Sequence, residues 1–138
     1  MSSVCGYRQL DHTADLALEI WAPSEEALLV EAAKAIVSLM THAAEIAPTA
    51  EREVELSALD GPDRLVVWLN EVLVLATVKG FLTAGARLDL RGHGLVAKLV
   101  GEEDAADKIE TELKSVTYHD LELVVGTERC TAHIVIDV

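Results

Sequence analysis

The sequence predicts an α+β domain, with two helices packed on one face of a mostly antiparallel sheet in a two-layer sandwich. Three observations carry this. Apolar residues recur at helical spacing in two windows, 28–40 and 65–78. Elsewhere they alternate with polar residues at strand period, over 16–21, 53–58, 86–91, 117–125 and 130–136. The order is strand, helix, strand, helix, then four strands, which suits helices layered on an antiparallel sheet.

Residues 16–21 read as a strand with Leu16, Leu18 and Ile20 on one face. Pro23-Ser24-Glu25-Glu26 is a helix start: Ser24 can cap the first N–H groups, and the glutamates suit the positive end of the helix dipole. Leu28, Ala32, Ile36 and Leu39 form the apolar stripe, and the helix should end between Met40 and His42, with His42 solvated. Residues 53–58 alternate as a half-exposed strand. Asp60-Gly61-Pro62 marks a turn, with Pro62 in the first turn of a second helix. Residues 65–78 are apolar almost all round, interrupted by Asn70 and Glu71, which predicts a central helix covered on more than one side. Gly80 stops it. Residues 86–91 and 95–100 flank a Gly92-His93-Gly94 turn, with His93 facing solvent. An acidic connector, Glu102-Glu103-Asp104 with Asp107, reads as a solvated loop. A last pair of strands, 117–125 and 130–136, surrounds Gly126-Thr127-Glu128.

At 138 residues the chain is expected to form a single domain, with 51% hydrophobic residues to fill a core. The net charge of −13, with only 11 Lys and Arg, argues against a nucleic-acid-binding surface and favours basic partners or cations. Cys5 and Cys130 form no C-x-x-C pair, and Cys130 reads as a small buried hydrophobe. Met-Ser-Ser-Val-Cys-Gly has neither a basic nor an apolar leader character, so a cytoplasmic protein without a membrane span is the expectation.

Three polar groups remain: Asp11-His12-Thr13-Ala14-Asp15, the segment from Lys114 to Asp120, and Asp137 with the terminal carboxylate of Val138. A hard cation prefers carboxylate, carbonyl and water oxygens. Asp15, Asp137 and a main-chain oxygen of Val138 could supply them if the first and last strands are neighbours. Ordinary turn chemistry at 11–15 and a polar strand end at Asp137 are the plainer alternatives. His12 and His119 each lie beside an aspartate and could act as a general base, which leaves a small metal-assisted hydrolase open. No nucleophile motif accompanies them, and strand alternation should keep His119 and Asp120 from pairing.

Asp11-His12-Thr13-Ala14-Asp15, Trp68-Leu69-Asn70-Glu71, Lys114-Ser115-Val116-Thr117-Tyr118-His119-Asp120-Leu121 and Ile134-Val135-Ile136-Asp137-Val138 together resemble the archease family, in that family's order and across nearly the whole chain. The resemblance implies a non-enzymatic protein that activates an RtcB-type RNA ligase, promoting its guanylylation and multiple turnover in tRNA splicing and RNA repair. It implies a divalent cation, calcium foremost with magnesium or manganese as alternatives, at Asp15, Asp137 and Val138. It also implies a role for Lys114, with Asp15 and Asp137, in activating the partner. Asp11, His12, His119 and Asp120 stand as supporting residues. The segment 102–112 is shorter and more acidic than the family's usual loop. A general chaperone or adaptor is a further alternative.

Overall fold

The computed structural model describes residues 4–10 and 15–138. Among these, strands and helices follow in the order β1 (Gly6–Leu10), β2 (Leu16–Ala22), α1 (Glu25–Thr41), β3 (Ala50–Leu56), α2 (Gly61–Thr77), β4 (Leu82–Arg91), β5 (Gly94–Glu102), β6 (Ser115–Val125) and β7 (Cys130–Asp137). A short 3-10 turn over Ala106–Lys108 precedes β6. The α+β class holds, with two helices and antiparallel pairing throughout the described ladders. The strands divide into two sheets, ordered β1-β2-β7-β6 and β3-β5-β4. β1 is an addition to the expected strands: Gly-Tyr-Arg-Gln-Leu is too short and mixed to show a period.

Ser24 caps α1 as expected, its Oγ accepting from the Ala27 N–H at 3.2 Å. Leu28, Leu29, Ala32, Ile36 and Met40 are buried along it. The helix ends at His42 in the left-handed region, φ 53°. His42 is more than a solvated terminus. Its Nε2 lies 2.7 Å from Thr111 Oγ1 and its Nδ1 3.2 Å from Glu110 Oε2. The N–H groups of Glu110 and Thr111 also donate to Met40 O, so the approach to β6 is lashed to the end of α1.

Asp60 caps α2 by accepting from the Asp63 N–H at 2.8 Å, with Pro62 in the first turn. The all-round apolar character of α2 has a physical reason. α1 packs on β2 and β4 while α2 packs on β6 and β4, so each helix touches both sheets. Trp68 is fully buried and its indole N–H donates to Leu29 O at 2.8 Å, joining the two helices. Arg64 is the one charged residue buried in α2. Its guanidinium meets Glu25 Oε2 at 2.6 Å and donates to Gly92 O and Gly94 O at 2.9 and 3.1 Å. It thereby ties the first turns of both helices to the β4–β5 turn, and losing either partner would leave an uncompensated buried charge. Gly94 is required beside it, because a Cβ there would lie 2.3 Å from Leu56 O.

The acidic connector is solvated only in part: Asp104 and Asp107 are exposed as expected, whereas Glu102 and Glu103 are paired. Glu103 makes a two-pronged ion pair with Arg52, both contacts at 2.9 Å. Glu102 accepts from Lys108 Nζ at 2.8 Å and from the Ala47 N–H at 3.0 Å. The Lys108 hydrogen bond, then the Ala47 amide, holds the Glu102 carboxyl below its ordinary range; the Arg52 hydrogen bond does the same for Glu103. A carboxyl lowered on folding stabilises above its ordinary pKa, and that contribution is lost as pH falls through the lowered value. The connector should therefore stay docked at about pH 5 and loosen below about pH 4. The Ala47 amide shift, followed by NMR through that window, measures this; a shift that stays flat to about pH 3 would contradict it.

Candidate functional site

The geometry that decides the candidate site is the neighbourhood of β2 and β7. They pair antiparallel from Leu16↔Ile136 to Ala22↔Cys130, so the start of β2 meets the end of β7. Continued one step beyond the last pair, this register sets Asp15, the residue just before β2, opposite Asp137. Alternation puts Asp15 on the side of Ala17, and Asp137 on the side of Val135, residues that are themselves partners across the ladder. Two carboxylates therefore share one face at one sheet end, where like charges oppose each other unless a cation lies between them. The β6–β7 ladder begins at Ser115↔Asp137, and the Lys114 N–H donates to Asp137 O at 2.9 Å. Lys114 is exposed and falls opposite Val138, one step beyond that pair. Asp15, Lys114, Asp137 and Val138 are thus brought to one pole of the four-stranded sheet.

Helix direction adds to the charge there. Gly61 lies near Leu123, Asp63 bonds Tyr118 and Asn70 bonds Val116, so α2 runs antiparallel to β6 and its carbonyl end points to the same pole. Neither helix has a basic residue in its last turn to offset that end. The oxygens present fit a hard cation: two carboxylates, a main-chain oxygen of Val138, and water for the remaining positions. Among the described residues no group of three His, Cys, Asp or Glu side chains converges as a metal site, so any cation at this pole would take its remaining ligands from main-chain oxygens and water. Asp11 and His12 lie outside the described residues.

His119 and Asp120 depart from expectation. Their side chains do meet, Nε2 to Oδ2 at 3.2 Å. Alternation fails because β6 bulges: between Thr117↔Val135 and Glu122↔His133 it takes five residue steps where β7 takes two, and Asp120 adopts a left-handed φ of 51°. The pair is mostly exposed, on the edge strand, and is separate in sequence from the strand ends that carry Asp15 and Asp137. His93 is exposed in its turn, as expected. Together with Ser57 it lines a surface depression at the opposite pole, beside the β4–β5 turn. Cys130 is buried and free.

Two polar contacts near β6 escaped sequence reasoning. Tyr118 donates its hydroxyl to Asp63 Oδ1, which holds the Asp63 carboxyl below its ordinary range and raises the Tyr118 phenol. Asn70 bonds both backbone groups of Val116. The signals for Asn70 were its interruption of an apolar helix and its place in the Trp68–Glu71 motif, neither of which reveals Val116 as the partner. No helix of the described residues is long and apolar enough to cross a membrane.

Comparison with known proteins gives a consistent result. The model of the archease protein family (MTH1598/TM1083) matches residues 7–138. Protein archease of Methanopyrus kandleri is 33% identical over 137 residues, covering 95% of this chain and 98% of that protein. Protein archease of Methanosarcina barkeri is 30% identical over 139 residues, covering 96% and 95% respectively. Among solved structures, the solution structure of Methanobacterium thermoautotrophicum protein 1598 superposes with a TM-score of 0.75 at 25% identity, covering 96% of this chain and 99% of that one.

Proposed function

Because the chain belongs to the archease family, we propose that it activates an RtcB-type RNA ligase, promoting its guanylylation and multiple turnover in tRNA splicing and RNA repair. The observation that carries this reading is the pole where the ends of β2 and β7 bring Asp15 beside Asp137, with Lys114 and Val138 across the adjoining strand pair. These are oxygen donors and one cation, without a nucleophile. Such a group suits delivery of charge to another protein's site better than bond-making of its own. A divalent cation, calcium foremost, would be held by Asp15, Asp137 and the Val138 main-chain oxygen, and would supply positive charge at the contact. Asp15 and Asp137 keep that position through their strand ladder, and Lys114 is tethered to it through its own N–H on Asp137 O. The exposed pole then meets the ligase near its nucleotide site.

The test is a reconstituted ligation with catalytic amounts of the cognate ligase. With this chain present, product should exceed the ligase many-fold; without it, product should stop near one equivalent. Equal product in both arms would sink the reading. A metal-assisted hydrolase is the competing reading, favoured by the His119–Asp120 contact. It requires phosphoester turnover by the chain alone, lost in His119→Ala.

A further inference from the structure

We infer that Asn70 is a positioning residue that fixes the start of β6, and through it Lys114, against the end of β7. Its carboxamide does what a neighbouring strand would do. The Val116 N–H donates to Asn70 Oδ1 at 2.8 Å, and Asn70 Nδ2 donates to Val116 O at 3.1 Å. β6 is the edge of its sheet, and both Val116 groups turn from β7 toward Asn70; with Val116 only 3% exposed, they would otherwise be poorly satisfied.

The contact matters because of the bulge. The first part of the β6–β7 ladder spans only the pairs Ser115↔Asp137, Val116↔Ile136 and Thr117↔Val135 before register is lost until Glu122. So short a patch is marginal by itself, since each backbone hydrogen bond adds only about 1 kcal/mol net. Other holds act from the β7 side: the Lys114 N–H on Asp137 O and the Thr117 hydroxyl on Val135 O. From the helix side Asn70 holds the patch itself, while Asp63 takes the Tyr118 hydroxyl in the bulge beyond it, and α2 is anchored by a fully buried Trp68 one half-turn from Asn70. The patch is therefore clamped between β7 and a rigid helix, with Lys114 two residues from the clamp. Trp68-Leu69-Asn70-Glu71 acquires a division of labour: Trp68 anchors the helix, Asn70 reaches from it to the edge strand.

The functional half of this inference rests on the ligase-activating reading; the structural half does not, and the experiment separates them. Amide hydrogen exchange and single-turnover ligase guanylylation are measured for the full chain and for Asn70→Leu, Lys114→Ala and their double variant. Asn70→Asp is carried alongside, because it retains the acceptor for the Val116 N–H and keeps the test open if Asn70→Leu folds poorly. In Asn70→Leu, exchange at Val116 and Lys114 should quicken by about tenfold or more, while Leu18 and Ile134 keep their protection. Asn70→Asp should lie between the two. Stimulation by Asn70→Leu should fall to that of Lys114→Ala, and the double variant should match Lys114→Ala within about twofold. A generally weakened fold would instead quicken exchange at all four amides and give losses that multiply. Unchanged exchange at Lys114, or multiplying losses, overturns the inference. Should Lys114→Ala stimulate like the wild type, the ligase-activating role of Lys114 fails, and exchange at Lys114 still decides whether Asn70 positions it.

Discussion

On the proposed reading, Asp15→Ala and Asp137→Ala should each bring single-turnover guanylylation of the cognate ligase down to the level of the ligase alone. The expectation follows from how few oxygens the pole offers. Among the described residues, two carboxylates and a main-chain oxygen are what the pole offers, so the loss of one should be felt. Removing a group that only orients a metal ligand typically weakens binding by about 10–100-fold, so removing a ligand should cost at least as much. The fold should not notice. Asp137 is exposed at a strand end, where a substitution changes stability by less than about 0.5 kcal/mol. Titrations with Ca²⁺, Mg²⁺ and Mn²⁺ in parallel show whether lost stimulation tracks lost cation. Asp137→Asn keeps the shape and removes the charge, and should behave like the alanine variant. Full stimulation by either alanine variant would remove that residue from the site.

Trp68→Ala should cost about 3–5 kcal/mol of unfolding free energy. A domain of this size has about 5–15 kcal/mol in all, so the midpoint of thermal unfolding falls by roughly 10–20 °C. The reason is position as well as size. Trp68 is fully buried in α2, among the largest enclosed side chains of the core, and its N–H reaches Leu29 O across the helix pair. A void there would sit between layers that both sheets press upon. Trp68→Phe keeps most of the ring and loses the hydrogen bond, so its cost should be roughly 1–2 kcal/mol. Denaturant titration of both variants measures the difference. A loss below about 1 kcal/mol for Trp68→Ala would mean that the helix pair repacks around the gap.

The elements that were legible in the sequence are those governed by local chemistry. Ser24 and Pro62 announce their helices by capping and first-turn preference, and the apolar stripes give their faces. Alternation marks β2, β4 and β7, and Gly92 with Gly94 marks the hairpin between β4 and β5. What was not legible depends on residues distant in the chain. Nothing local in β2 or β7 says that they are neighbours, so the facing of Asp15 and Asp137 needed the fold. The same holds for Glu102 and Glu103, whose partners Ala47 and Arg52 lie some fifty residues away; a run of acids looks alike whether solvated or paired. His119 and Asp120 meet because a bulge breaks the very alternation by which strands are read. Asn70 could be seen as an interruption in an apolar helix and as part of the Trp68–Glu71 motif, and neither reveals a partner; Arg64, just before the apolar window, gave no signal.

The pairing of β2 with β7 also orders events in time. It joins residues 16–22 to residues 130–136, so its loop can close only after the later segment has left the ribosome. Until then Leu18 and Ile20 lack the strand that completes their sheet, and Asp15 has no facing carboxylate. Such long-range pairing is slow relative to helix formation, and places the closing of this sheet late in folding. A nascent chain, or one cut short before β7, would carry both helices and the smaller sheet yet not the pole that carries the acids. On the proposed reading, competence to activate a partner would then wait on the segment that carries Asp137 and Val138.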